Sequence, residues 1–261
     1  MFPKIMGILN LTPDSFSDGG MFFSKSEALF HAEAMVKDGA DIIDIGGEST
    51  RPGSSLVPLQ EELDRVMPVL EEVVNWDVEV SVDTNKAEVA RLSLELGVDI
   101  INDISALTFD ESLVDHVVKH EAKLVLMHMR GIPRTMQKDL KKVDIIPEVL
   151  QFLKSKSDFA LSKGVKQKNI ILDPGIGFGK DLEDNINIIK HIAVLKELGY
   201  PLLIGASRKS MISMIAEADI DDRLSGSLAI ACVSAQRGVD ILRVHDVAET
   251  IQALKVIEKI W

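Results

Sequence analysis

The chain of 261 residues has one cysteine, Cys232, and only 5% aromatic residues. A single cysteine excludes a disulfide framework and a cysteine-based zinc site. So few rings require a mostly aliphatic core. Basic residues are scarce as well: 29 Lys+Arg stand against 41 Asp+Glu, a formal net charge of −12. With no basic run, that balance argues against a nucleic-acid partner, which needs clustered Lys and Arg to neutralise phosphates. No apolar run reaches the roughly 20 residues of a membrane span, so no membrane partner is expected. The opening Met-Phe-Pro-Lys leads into a short apolar run without the charged–apolar–small pattern of a signal peptide. These absences point to a cytoplasmic protein.

With 46% hydrophobic and 27% charged residues, the chain has the composition of a globular protein with a large core. Eight short apolar runs stand out: Lys4–Leu9, Asp41–Ile45, Val78–Val82, Val98–Ile101, Lys123–Met127, Asn169–Leu172, Pro201–Ile204 and Asp240–Val244. Near-continuous runs of this kind suit parallel strands buried on both faces. Between them lie stretches with helical apolar spacing, including Ser24–Lys37, Leu59–Val74, Lys86–Leu96, Glu111–His120, Ile145–Lys163, Leu182–Leu198 and Val247–Ile260. Gly39, Gly97, Gly164, Gly199 and Gly238 sit where helix C-caps want glycine. Eight strand–helix units of about 33 residues predict a single-domain (β/α)8 TIM barrel across residues 1–261. A doubly wound open sheet is the alternative.

The residues at the strand ends carry the chemistry. They include Asn10, Gly46–Arg51, Asp83, Asn102–Asp103, His128 with Arg130, Asp173, Ser207–Lys209, and Arg243 with His245. In a barrel these ends converge on one face, where active sites are built. Many of them serve equally well as turn or cap residues. That reading does not account for Lys209, Arg243 and His245 at the last two strand ends, where barrels often bind phosphate. Gly175–Gly179 reads GxGxG, which is not the dinucleotide fingerprint, and no P-loop is present. Lys209 suits either a Schiff-base lysine or a plain cation for a phosphate or a ring carbonyl. His31, His116, His120 and His191 fall on helical stretches and suit surface or packing roles; His128 is ambiguous.

In their order along the chain, these strand ends resemble the dihydropteroate synthase family of folate biosynthesis. The resemblance rests on Asn10-Leu-Thr-Pro-Asp-Ser-Phe-Ser-Asp-Gly-Gly20, Gly46-Gly-Glu-Ser-Thr-Arg-Pro-Gly53, Ser81-Val-Asp-Thr84 and Ile101-Asn-Asp-Ile-Ser105. It continues through Met127-His-Met-Arg-Gly131, Asp173-Pro-Gly-Ile-Gly-Phe-Gly-Lys180, Ser207-Arg-Lys-Ser210 and Arg243-Val-His-Asp246. It implies a homodimeric barrel that condenses 6-hydroxymethyl-7,8-dihydropterin diphosphate with 4-aminobenzoate, giving 7,8-dihydropteroate and pyrophosphate with Mg2+. By the same resemblance, Asp83, Asn102, Asp173 and Lys209 would bind the pterin, with Ile104 and Met127 against its faces. Asn10, Arg243 and His245 would hold the diphosphate, and Asn10 the Mg2+. Thr50, Arg51, Pro52, Phe178 and Ser210 would line the 4-aminobenzoate pocket. Asp18 resembles the residue that stabilises a pterin cation in a dissociative step, with Lys209 and Asp83 completing the catalytic set. A methyltetrahydrofolate–corrinoid methyltransferase, which shares the pterin contacts, is the alternative reading.

Overall fold

Each Ile- and Val-rich run is returned to the same starting side by a helix, so successive strands lie parallel. The computed structural model describes residues 2–12, 25–138, 140 and 142–260. In chain order its strands and α-helices are β1 (Lys4–Asn10), α1 (Lys25–Asp38), β2 (Ile42–Gly46), α2 (Leu59–Val73), β3 (Glu79–Asp83), α3 (Ala87–Leu96), β4 (Ile100–Asp103), α4 (Leu113–His120), β5 (Lys123–Met127), α5 (Ile145–Ser162), β6 (Ile170–Asp173), α6 (Leu182–Lys190), α7 (Ile192–Lys196), β7 (Leu203–Ile204), α8 (Ser210–Ala216), α9 (Leu224–Gln236), β8 (Ile241–Val244) and α10 (Val247–Ile260). The strands pair in the order β6-β5-β4-β3-β2-β1-β8-β7. A parallel bridge between Leu172 and Leu202 joins the two ends of that series. The result is the (β/α)8 barrel, and the open-sheet alternative is excluded.

Three local expectations are corrected. Pro201 has no N–H to give to a ladder, so β7 is only Leu203–Ile204, shorter than the expected Pro201–Ile204. Leu182–Leu198 is two helices broken at His191, whose φ of −109° and ψ of 24° leave the helical range. The apolar spacing continues across that break, which is why periodicity misses it. The helix α8 was not foreseen; it is seven residues long and exposes Met214 and Ile215. Elsewhere Gly97 closes α3 at φ +107°, as expected, and Asp181 with Asp184 forms a capping box on α6.

Strand alternation builds the interior. Met6, Ile42, Ile100, Val125, Ile171, Leu203 and Ile241 form one buried cluster inside the barrel. Two residues further along β2, β4, β6 and β8, the next inward position is Asp44, Asn102, Asp173 or Arg243. The barrel is therefore apolar at its N-terminal end and polar towards its C-terminal mouth. The larger aliphatic cluster lies between the strands and the surrounding helices.

Candidate functional site

The floor of the C-terminal mouth is a group of buried charges. Arg243 donates from Nε to Asp44 Oδ2 at 2.6 Å and from Nη2 to Asp83 Oδ2 at 2.8 Å. Asn102 donates from Nδ2 to the same Asp44 oxygen at 3.1 Å. Asp44 is fully buried and Asp83 nearly so. Buried charges of this kind persist only when paired. Burial raises Asp83 to a pKa of about 7, against the pull of Arg243 and with the help of Asp44. Asp173 follows on β6 and accepts from the Gly175 amide at 2.7 Å. Burial raises its pKa too. Among the described residues, no protein group engages the second oxygen of Asp83, the amide oxygen of Asn102 or the second oxygen of Asp173. None of these three atoms is sealed from solvent. Three acceptors therefore remain open at the ends of β3, β4 and β6.

One wall is the loop after β6. Lys180 is buried and donates to the carbonyls of His128, Gly175 and Phe178 at 3.1, 2.8 and 3.1 Å, curling the loop around its ammonium group. Burial pulls its pKa down to about 7. The glycines of this loop allow close approach within the protein. A Cβ on Gly175 would lie 2.0 Å from the His128 carbonyl oxygen at φ +68°, and one on Gly179 would lie 2.5 Å from the Arg130 carbonyl oxygen. Gly175→Ala is therefore expected to cost about 3 kcal/mol. In thermal unfolding that is a fall in Tm of roughly 6–12 °C for a chain of this size; an unchanged Tm would contradict the packing described.

Lys209 precedes α8 and crosses to this loop. Its Nζ donates to the Ile176 carbonyl at 2.7 Å and sits 4.1 Å from the Phe178 ring centre. Burial lowers its pKa to about 8, against the Asp173 carboxylate. Phe178 in turn packs with Ile104, Met127 and Met136, and Met129 lies against the group. The structure thus brings Lys209, Phe178, Ile104 and Met127 together, although Phe178 was assigned to the 4-aminobenzoate pocket and Ile104 and Met127 to the pterin faces. Met136 was missed; it lies in an irregular segment with no spacing to reveal it.

The diphosphate candidates Asn10, Arg243 and His245 lie at the ends of β1 and β8. Arg243 has two nitrogens committed to carboxylates, and Nη1 is its one nitrogen without a partner among the described residues. His245 meets Ser207 Oγ through Nδ1 at 3.0 Å, and burial and then Arg243 pull its pKa down to about 3. The ring is neutral at pH 7, so it offers a hydrogen bond and not a charge. Asn10 ends β1, half-buried, and its side chain makes no hydrogen bond among the described residues. Arg51 and Pro52 are exposed, Thr50 is half-buried, and Ser210 lies exposed at the start of α8. The loop carrying Thr50, Arg51 and Pro52 is anchored by Gly53 N–H to the Pro133 carbonyl at 3.1 Å. Asp18 lies outside the described residues.

Other strand-end groups are structural. Asp103 accepts from the amides of Ser105 and Leu107 at 2.8 and 2.6 Å and shapes its own loop. Burial holds the His128 pKa down near 3; the ring meets Phe152 edge-on at 5.0 Å. Arg130 bonds Glu148 and Asp184, tying the loop after β5 to α5 and α6. Asp44 and Lys180 were missed as site residues. A charged residue inside an apolar strand was the available signal for Asp44.

A cavity of about 770 Å³ opens at the other mouth, over Ile42, Ile100, Ile171 and Ile241. Its charges are largely paired: Lys4 and Lys123 hold Glu79, and Lys196 holds Asp240. It offers no convergent set of open acceptors, so the polar mouth is the candidate site. No group of three or more His, Cys, Asp or Glu among the described residues is arranged to hold a metal. Magnesium bound by one protein oxygen together with substrate phosphates does not require such a group.

The chain is similar to known proteins along nearly its whole length. The family described as pterin binding enzyme matches residues 6–245. The dihydropteroate synthase of Haemophilus influenzae is 48% identical over 255 residues, covering 97% of this chain and 92% of that protein. The Synechocystis enzyme is 47% identical over 259 residues, covering 98% and 90%. Among solved structures, the Yersinia pestis dihydropteroate synthase with a sulfonamide drug superposes with a TM-score of 0.94 at 42% identity, covering 99% of this chain and 94% of that one. The Xanthomonas albilineans enzyme in complex with 7,8-dihydropteroate gives 0.89 at 39% identity, covering 99% and 94%.

Proposed function

The chain belongs to the dihydropteroate synthase family of pterin-binding enzymes, transferases of folate synthesis, and we propose that its polar barrel mouth joins 6-hydroxymethyl-7,8-dihydropterin diphosphate to 4-aminobenzoate. The observation that carries this assignment is the row of open acceptors on Asp83, Asn102 and Asp173 facing a shared mouth with Lys209. A pterin edge is rich in N–H donors and its ring carbonyl is an acceptor, so these groups complement it. A site built on buried hydrogen bonds rejects rings that lack them. Ile104, Met127 and Phe178 supply apolar surface for the ring faces. Phe178 also reaches the 4-aminobenzoate pocket, with Thr50, Arg51, Pro52 and Ser210; the exposed Arg51 guanidinium suits the benzoate carboxylate.

The diphosphate is held at Arg243 Nη1, the His245 ring and the Asn10 amide. Asn10 would also carry Mg2+, its side-chain oxygen, without a partner among the described residues, being a suitable donor. Such an ion, when bound, offsets charge on the diphosphate oxygens. The C–O bond breaks first, and the pair of electrons leaves with the diphosphate. The pterin methylene spreads the resulting positive charge into its ring, and by the family resemblance Asp18 would stabilise that cation. The 4-aminobenzoate nitrogen then forms the C–N bond and its proton passes to water. No nucleophile of the chain is consumed, and Lys209 acts as a hydrogen-bond donor and cation.

The same reading carries a homodimer and a cytoplasmic location. Val233 on α9 and Val256 and Ile260 on α10 are exposed apolar residues that support a subunit contact; mass measurement in solution tests it. No helix among the described residues is long and apolar enough to cross a membrane. Incubation with both substrates and Mg2+ tests the activity. Equimolar pyrophosphate and dihydropteroate are expected; methyl transfer to a corrinoid without pyrophosphate would overturn the assignment.

A further inference from the structure

We propose that Asp44 is a positioning residue that fixes which way the Asn102 amide faces, and so sets the acceptor pattern read by the incoming ring. The inference rests on the pterin assignment of this mouth and assigns the buried carboxylate beneath it. Asp44 has no exposed surface, so it lies below the substrate groups. Its Oδ2 accepts from Asn102 Nδ2 and from Arg243 Nε. A carboxylate accepts and does not donate. Only one of the two amide orientations of Asn102 therefore satisfies the contact, with nitrogen inward and oxygen towards the open site. The opposite orientation would set two oxygens against each other in a buried, low-dielectric place, which is costly.

Arg243 extends the same device to the next strand. Held by Asp44 at Nε, it takes Oδ2 of Asp83 with Nη2 and leaves the other Asp83 oxygen open. Asp83 and Asn102 are register partners on β3 and β4. Their open oxygens thus form an acceptor–acceptor pair, with Asp173 nearby on β6. Such a pair selects a flat heterocycle with adjacent N–H donors and disfavours one with an acceptor at that edge. Asp44 is the group that prevents the Asn102 amide from turning to accommodate the wrong ring.

The test compares a pterin with its 2-oxo counterpart, which keeps the outline but replaces the amino donor with an acceptor. Calorimetry measures both affinities. The parent is expected to favour the pterin strongly. In Asp44→Leu, the Asn102 amide is released, and the ratio of the two affinities is expected to fall roughly tenfold or more. Asp44→Asn keeps an oxygen facing Arg243 and Asn102, and should hold the ratio within about threefold of the parent, since the orientation is retained. A purely structural role would weaken both rings together and leave the ratio unchanged, which would overturn the proposal. Should leucine prevent folding, Asp44→Ser is used: its hydroxyl donates as well as accepts, so it no longer dictates the amide orientation and the ratio should fall. Asp83→Ala serves as the control on the site. If the parent fails to bind the pterin, or Asp83→Ala binds it unchanged, the pterin assignment fails. If those two behave as expected while the leucine or serine variant keeps the parental ratio, only the role of Asp44 fails.

Discussion

Lys209→Ala is expected to lower kcat/KM by about three to four orders of magnitude while leaving Tm within a few degrees of the parent. The two effects separate because of where Lys209 sits. Its charge is unfavourable in the folded state, as the fall of its pKa to about 8 records, so deleting it removes that penalty along with one bond to the Ile176 carbonyl. Its role is towards the substrate, as the donor beside Asp173 and over Phe178. The same position sets a pH dependence. The charged form is lost in the folded protein above about pH 8, but only near pH 10.4 in the unfolded chain. Between those values the folded state holds fewer protons, so this group's contribution to folding becomes more favourable as pH rises. Activity should move the other way, with kcat/KM declining above about pH 8. Activity that stays level through pH 10, or near-normal turnover by Lys209→Ala, would remove Lys209 from the site. The absence of a borohydride-trapped adduct on Lys209 is expected as well, since the reaction needs no Schiff base.

Asp83→Ala is expected to be as severe for activity, again by about three orders of magnitude or more, but with a different signature. The variant loses an open acceptor and also one of the two partners of the buried Arg243. Asp44 still holds that guanidinium, so the fold should persist with a loss of about 1–3 kcal/mol, read in denaturant unfolding. Direct binding of the pterin should disappear, which distinguishes it from a variant impaired only in the chemical step. Near-parental pterin affinity in Asp83→Ala would show that the open acceptors do not read the ring.

The barrel was legible because its signals are local and repeated: apolar runs such as Lys123–Met127 separated by amphipathic stretches closed at glycines such as Gly97. The order of polar strand ends was legible too, since each lies in the last residues of its run or within a few residues beyond it. What the sequence did not reveal depends on pairing across the barrel. Nothing local shows that Arg243 is held by Asp44 and Asp83, 199 and 160 positions away. Nor does anything local show that burial, and then Arg243, hold the His245 ring neutral. Asp44 hid within the run Asp41–Ile45, where it looked like strand. Lys180 looked like the end of a glycine motif, and only the fold shows three carbonyls converging on its ammonium group.

The most direct measurement is the set of contact distances in a crystal structure of the protein with the pterin diphosphate and an unreactive 4-aminobenzoate analogue bound. The donor edge of the pterin is expected within about 3 Å of Asp83, Asn102 and Asp173, with the ring carbonyl at Lys209 and the diphosphate at Arg243 Nη1 and His245. A pterin seated anywhere else, or one whose donor edge turns away from those three oxygens, would contradict the account.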